Sequence, residues 1–218
     1  MSNHASCPRC GAKIKDGFLG VNQLLEDSQC ELIAEMTNTP KEQACASCRS
    51  DAFYNAISEL RQRRDQLAEE IVKQSEIMPI VTAPSPMGWN YRTIGMATGQ
   101  STSGTGFLTE VSASWTDFFG MQSGAYNKKI SEGELLCYRQ LRSKALQMGG
   151  NAVVATDIDY SEMGAAKGMV MVCMSGTVVK IENTDVVSDV FAETMLRIDS
   201  MFGQLRTWDS KYSALYNK

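Results

Sequence analysis

Two short cysteine pairs, "CPRC" at 7–10 and "CASC" at 45–48, restrict the N-terminal region more than any other stretch of the chain. Cys7, Cys10, Cys45 and Cys48 supply four thiolates, the number a closed tetrahedral zinc site needs, and each CxxC turn can wrap one side of an ion. Gly11, directly after the first pair, suits the left-handed residue of such a knuckle. A full sulfur shell leaves no position open for substrate or water, so the spacing reads as structural zinc rather than a catalytic metal. The redox alternative needs a βαβ surround, and the neighbouring sequence does not suggest one. Seven cysteines, an odd number, in a chain that opens "MSNHASCPRC" fit reduced metal ligands in the cytosol better than a disulfide framework. Cys30 reads as packing and His4, the one histidine, as a tail residue.

Beyond this head the chain changes character at about 50, 78 and 183. The reading is a four-cysteine zinc-binding head over 1–50, an amphipathic helix over 51–78, a small domain over 79–183 and a heptad helix over 184–218. Between the cysteine pairs, "GFLGVNQLLEDSQCELIAEM" predicts a helix with Leu24, Leu25, Leu32, Ile33 and Met36 apolar. Phe53, Ile57, Leu60, Leu67 and Ile71 fall along one helical seam interrupted by Arg64. Val187, Phe191, Thr194, Ile198, Met201, Leu205, Trp208, Tyr212 and Leu215 keep an alternating spacing of four and three, as a helix pair or coiled coil requires. Whether these two helices pair within one subunit or between subunits is open at this level. The run "RQRRDQ" gives way at once to "LAEE", which describes a solvated helix face better than a nucleic-acid surface.

The segment 80–182 alternates in type. "YRTIGMATGQ" predicts a strand and "GFLTEVSASWTDFF" a strand or short helix. A helix is predicted from Ala125 to Met148, closed by Gly149 and Gly150. "NAVVATDIDY" and "GMVMVCMSGTVVKI" then predict two strands joined by a polar turn. This order gives an α+β fold, a βαββ unit in which one helix covers a sheet.

"SGAYNKK" before a helix, followed by "ALQMGGNAVVATDIDYSEMG" and "MVMVCMSGTVVKI", resembles the YbjQ family of bacterial proteins, which carries a heavy-metal-binding label. The resemblance covers about residues 79–182 and leaves out the head and the terminal helix. It implies a compact βαββ unit similar to dodecin subunits, assembled as a homo-oligomeric ring, typically a pentamer. It implies no particular reaction.

Alternate residues of a strand share a face, which groups Met169, Met171 and Cys173, and separately Asp157 and Asp159. The first set offers soft donors for a second metal or ligand, although such residues also fill cores. The second set suits hard ions or solvent. A net charge of −4 over 218 residues gives no overall pull toward nucleic acid, and no apolar run approaches the ~20 residues of a membrane helix. The favoured expectation is a cytoplasmic, non-enzymatic ring scaffold or interaction protein with structural zinc heads. Its partners would be itself and a protein bound through the helices or the head. The alternative is a heavy-metal or small-ligand sensor or buffer using the YbjQ-like domain, and a third reading has the head docking on nucleic acid through Arg61, Arg63 and Arg64.

Overall fold

Four helices and three strands make up the computed structural model, which describes residues 5–15, 22–102, 124–163 and 169–216. His4 and the segment "GFLTEVSASWTDFF" lie outside the described residues. The chain divides into two units, Met1–Ile71 with Asp199–Lys218, and Val72–Ile198.

In the first unit, helix α1 spans Asp27–Thr37, later than the apolar pattern from residue 17 suggests. Glu26 sets this start: its backbone N–H donates to the Gln29 side chain at 2.7 Å, one half of a capping box. Upstream, Leu24 is drawn into an antiparallel bridge with Cys45, and the Leu25 N–H donates to the Ala44 carbonyl. Strand-like pairing to the second cysteine pair thus takes residues that periodicity assigns to the helix.

Helix α2 spans Ala46–Gln74 and helix α4 spans Phe191–Tyr216. Phe53, Ala56, Ile57 and Leu60 of α2 pack in one core with Leu32, Ile33 and Met36 of α1 and with Trp208, Tyr212 and Leu215 of α4. The C-terminal part of the second apolar seam, Leu205 to Leu215, thus packs with the first in one core, whereas Val187, assigned by the sequence to the same helix, precedes α4 and packs on the sheet. Arg64, the break in the α2 seam, pairs with Asp209 of α4 at 2.6 Å. Cys30 is buried in the same core, and burial pushes its thiol above the ordinary range.

The second unit carries β1 (Tyr91–Thr102), α3 (Gly124–Gln147), β2 (Ala152–Met163) and β3 (Met169–Ile181). The strands form an antiparallel sheet in the order β1-β3-β2. Cys137, Leu141 and Ala145, one helical turn apart, are fully buried on α3, and Val172, Met174 and Val178 of β3 are buried with them. Contact is close at Gly99, where an added Cβ would come 2.7 Å from the Cys137 carbonyl oxygen. The opposite sheet face is covered at one end by Val81, Trp89, Tyr91 and Val187, packed on Ala152, Val154, Val179 and Ile181.

Strand edges are handled differently on the two sides. The Gln140 side chain both accepts from the Gln100 N–H and donates to the Gln100 carbonyl, each at 3.0 Å, so α3 itself covers part of the β1 edge. On β2, residues Val153 to Thr156 pair with segment 79–83. A bulge between Val154 and Asp157 accompanies this junction, with Ala155 at φ 51°.

Candidate metal centre

The two cysteine knuckles are built by short backbone turns. In the first, the Gly11 N–H donates to the Cys7 carbonyl at 2.9 Å, and Gly11 adopts φ 72°, a conformation that Cβ-bearing residues resist. In the second, Cys45 directly precedes α2, and the Arg49 N–H donates back to the Cys45 carbonyl at 3.1 Å. Cys48 lies in the first turn of α2, whose leading N–H groups are already taken: Ala46 donates to the Gln23 carbonyl and Ser47 to the Asn22 side chain.

All four Sγ atoms lie within 4.8 Å of one another. The Cys10–Cys45 and Cys45–Cys48 separations are each 3.7 Å, and Cys7–Cys48 is 4.0 Å. A tetrahedron with metal–sulfur bonds of ~2.3 Å has edges of about 3.8 Å, so the residues fit a four-coordinate ion. Among the described residues, this is the one place where three or more cysteine, histidine or carboxylate ligands gather.

The electrostatics of the sulfurs point the same way. Burial opposes ionisation of Cys7, yet hydrogen bonds from the Cys10 and Arg9 backbone and from neighbouring thiols bring it down to about 6. Cys48 is pushed up to about 12, by burial first and then by its hydrogen bonds to the same sulfurs. Neighbouring thiolates repel one another, and a divalent cation removes that conflict. The resulting shell is complete, which suits holding structure and leaves no coordination position for a reactant.

Cysteines outside the cluster are of another kind. Cys137 is fully buried, its thiol donates to the Val172 carbonyl at 3.3 Å, and burial together with the charges of Cys173 and Glu134 raises it to about 11. It is a neutral packing group.

The second set of sequence candidates lands on the sheet face away from α3. Asp159 and Gln100 flank Cys173 in the register, and Asp157 and Thr98 flank Ser175. Their rows line a concavity of about 240 Å³. Met171 follows on the same face by alternation, while the Met169 side chain lies outside the described residues. The sequence groups Met171 with Cys173, and Asp157 with Asp159; strand register joins the two groups. Their carboxylate and thiol atoms do not gather into a three-ligand set.

Glu35 and Glu42 escaped sequence reasoning. Glu35 accepts hydrogen bonds from Trp208 Nε1 at 2.8 Å and from the Tyr212 hydroxyl at 2.6 Å. Burial works against its charge, but those two donors and Lys211 hold the carboxyl below its usual range. Glu42 lies between Arg9 and Arg49, at 3.7 and 3.6 Å. Neither belongs to a motif, because each finds its partners through tertiary structure.

Comparison with known proteins separates the two units. A family model described as "Putative heavy-metal-binding" matches residues 78–182. A UPF0145 protein of Clostridium botulinum (strain Eklund 17B / Type B) is 39% identical over 108 residues, covering 48% of this chain and 100% of that relative. A UPF0145 protein of Acetivibrio thermocellus is 39% identical over 88 residues, 40% of this chain and 83% of its own. A crystal structure of a Pediococcus pentosaceus protein of unknown function from the DUF74 family aligns with 47% of this chain and 96% of its own, at 16% identity and a TM-score of 0.33. The cysteine cluster, α1 and α2 precede the residues matched by the family model, and α4 follows them.

Proposed function

This chain belongs to the YbjQ family through residues 78–182, and on that premise we propose that it is a non-enzymatic, homo-oligomeric interaction protein. The family domain builds the ring that the YbjQ resemblance implies. Each subunit adds a head whose four cysteines bind structural zinc. The observation that carries this reading is the closed four-sulfur cluster, with near-tetrahedral edges, built outside the residues that the family model matches. Zinc is the ion that a four-thiolate tetrahedral shell suits best. A ring presenting one such head per subunit would multiply weak contacts with a protein partner without new chemistry. His4, the single histidine, gives the chain little material for a nucleophile and base pair.

Metal analysis combined with native mass spectrometry tests this reading. The expected result is one zinc per chain on a closed oligomer. A monomer would remove the ring.

A second reading keeps the family's heavy-metal description for the sheet face. It is favoured by the concavity where Cys173 stands between Asp159 and Gln100. Titrating copper(I) or cadmium into the Cys7→Ser, Cys45→Ser variant separates the two readings. Saturable binding that Cys173→Ser abolishes would favour the second. Lack of such binding would leave the sulfur cluster as the candidate metal centre.

A further inference from the structure

We infer that Glu42 is a positioning residue for the four-sulfur centre: its carboxylate ties the two cysteine knuckles together from outside the sulfur shell and slows release of the metal. The inference rests on the structural-zinc reading above. Arg9 stands inside the first knuckle, between Pro8 and Cys10, and Arg49 directly follows Cys48 of the second. The same oxygen, Glu42 Oε2, lies 3.7 Å from Arg9 Nε and 3.6 Å from Arg49 Nη2. One carboxylate thus bridges a cation from each knuckle.

Both cations are carried on backbone that is fixed close to the cysteines. The turn carrying Arg9 is closed by the Gly11 N–H on the Cys7 carbonyl, and Arg49 is held by its own N–H on the Cys45 carbonyl. Moving either knuckle away from the other therefore stretches the bridge. A divalent ion with four thiolates carries two net negative charges, which would repel a lone carboxylate. The two guanidinium groups offset that repulsion and hold Glu42 in place. The Arg49 side chain is only 16% exposed, so solvent screens its pair less than an ordinary surface pair.

This placement matters for metal release. A closed four-sulfur site loses its ion when a ligand swings out, and Cys10 and Cys48 are the two exposed cysteines of the cluster. These are the residues next to Arg9 and Arg49 in sequence. The bridge restrains the two sulfurs best placed to leave.

The test is stopped-flow transfer of zinc from the full chain to a chromophoric chelator, at low salt and at about 0.5 M salt, where screening reaches only a few ångströms. Glu42→Gln is expected to release zinc about fivefold faster at low salt, the upper scale of an exposed ion pair. Glu42→Asp should fall between the two. High salt should bring the wild-type and variant rates together. Arg9→Gln should accelerate release as well, with no further gain when combined with Glu42→Gln. Equal wild-type and Glu42→Gln rates at low salt would overturn the inference while leaving the zinc reading intact, as would an acceleration insensitive to salt. A wild type that holds no zinc would overturn both.

Discussion

Single side chains decide how the head is held together, and the least conspicuous of them carry the largest predictions. Glu35 receives two short hydrogen bonds from α4, so Glu35→Ala should destabilise the first unit by about 1–2 kcal/mol, given that charge-assisted bonds are strong but this group is partly exposed. Its folded pKa is depressed. The stabilisation is therefore present above the unfolded value, ~4.3, and is lost as pH falls through the lower folded value. Denaturation followed by tryptophan fluorescence should show the gap between wild type and Glu35→Gln closing on acidification. Comparing the two proteins at each pH cancels any loss of metal common to both. Ala155 offers a backbone test: at φ 51°, Ala155→Val should cost about 1–2 kcal/mol and Ala155→Gly should be neutral or slightly stabilising, measured as shifts in the urea midpoint. The four clustered cysteines were legible at this scale because CxxC spacing is a local property. Glu35, Glu42 and Ala155 were not, since each depends on a partner or bulge defined by distant chain.

At the scale of elements, periodicity located α2, α3, α4 and all three strands, because each buries one face and so repeats its apolar residues at its own period. Pairing determined what periodicity left open. Leu24 fits a helical stripe, yet its bridge to Cys45 confines α1 to Asp27–Thr37. The two long apolar seams offered equal prospects within and between chains, and residues of both share one core within the chain. Strand register likewise placed Asp159 beside Cys173, a neighbourhood that alternation along either strand does not reveal. Helix-on-sheet packing yields a direct prediction. A methyl group at Gly99 meets the Cys137 backbone, so Gly99→Ala should force α3 away from the sheet and cost about 1–3 kcal/mol in denaturant unfolding.

For the whole molecule, the central claim is a family domain that assembles and a head that zinc folds. No described helix is long and apolar enough to cross a membrane. Structural zinc supplies apparent binding free energies on the order of 10–16 kcal/mol in small modules, which is large beside the marginal stability of a folded domain. Chelation should accordingly raise hydrogen exchange across α1 and the start of α2 while the amides shared by β2 and β3 stay protected. The most direct measurement is native mass spectrometry with elemental analysis on the wild type and on the Cys7→Ser, Cys45→Ser variant. The account predicts a closed oligomer with one zinc per chain, and a variant that loses the zinc but keeps its subunit number. A monomeric wild type, a wild type without zinc, or a metal that persists in the variant at one per chain would contradict it.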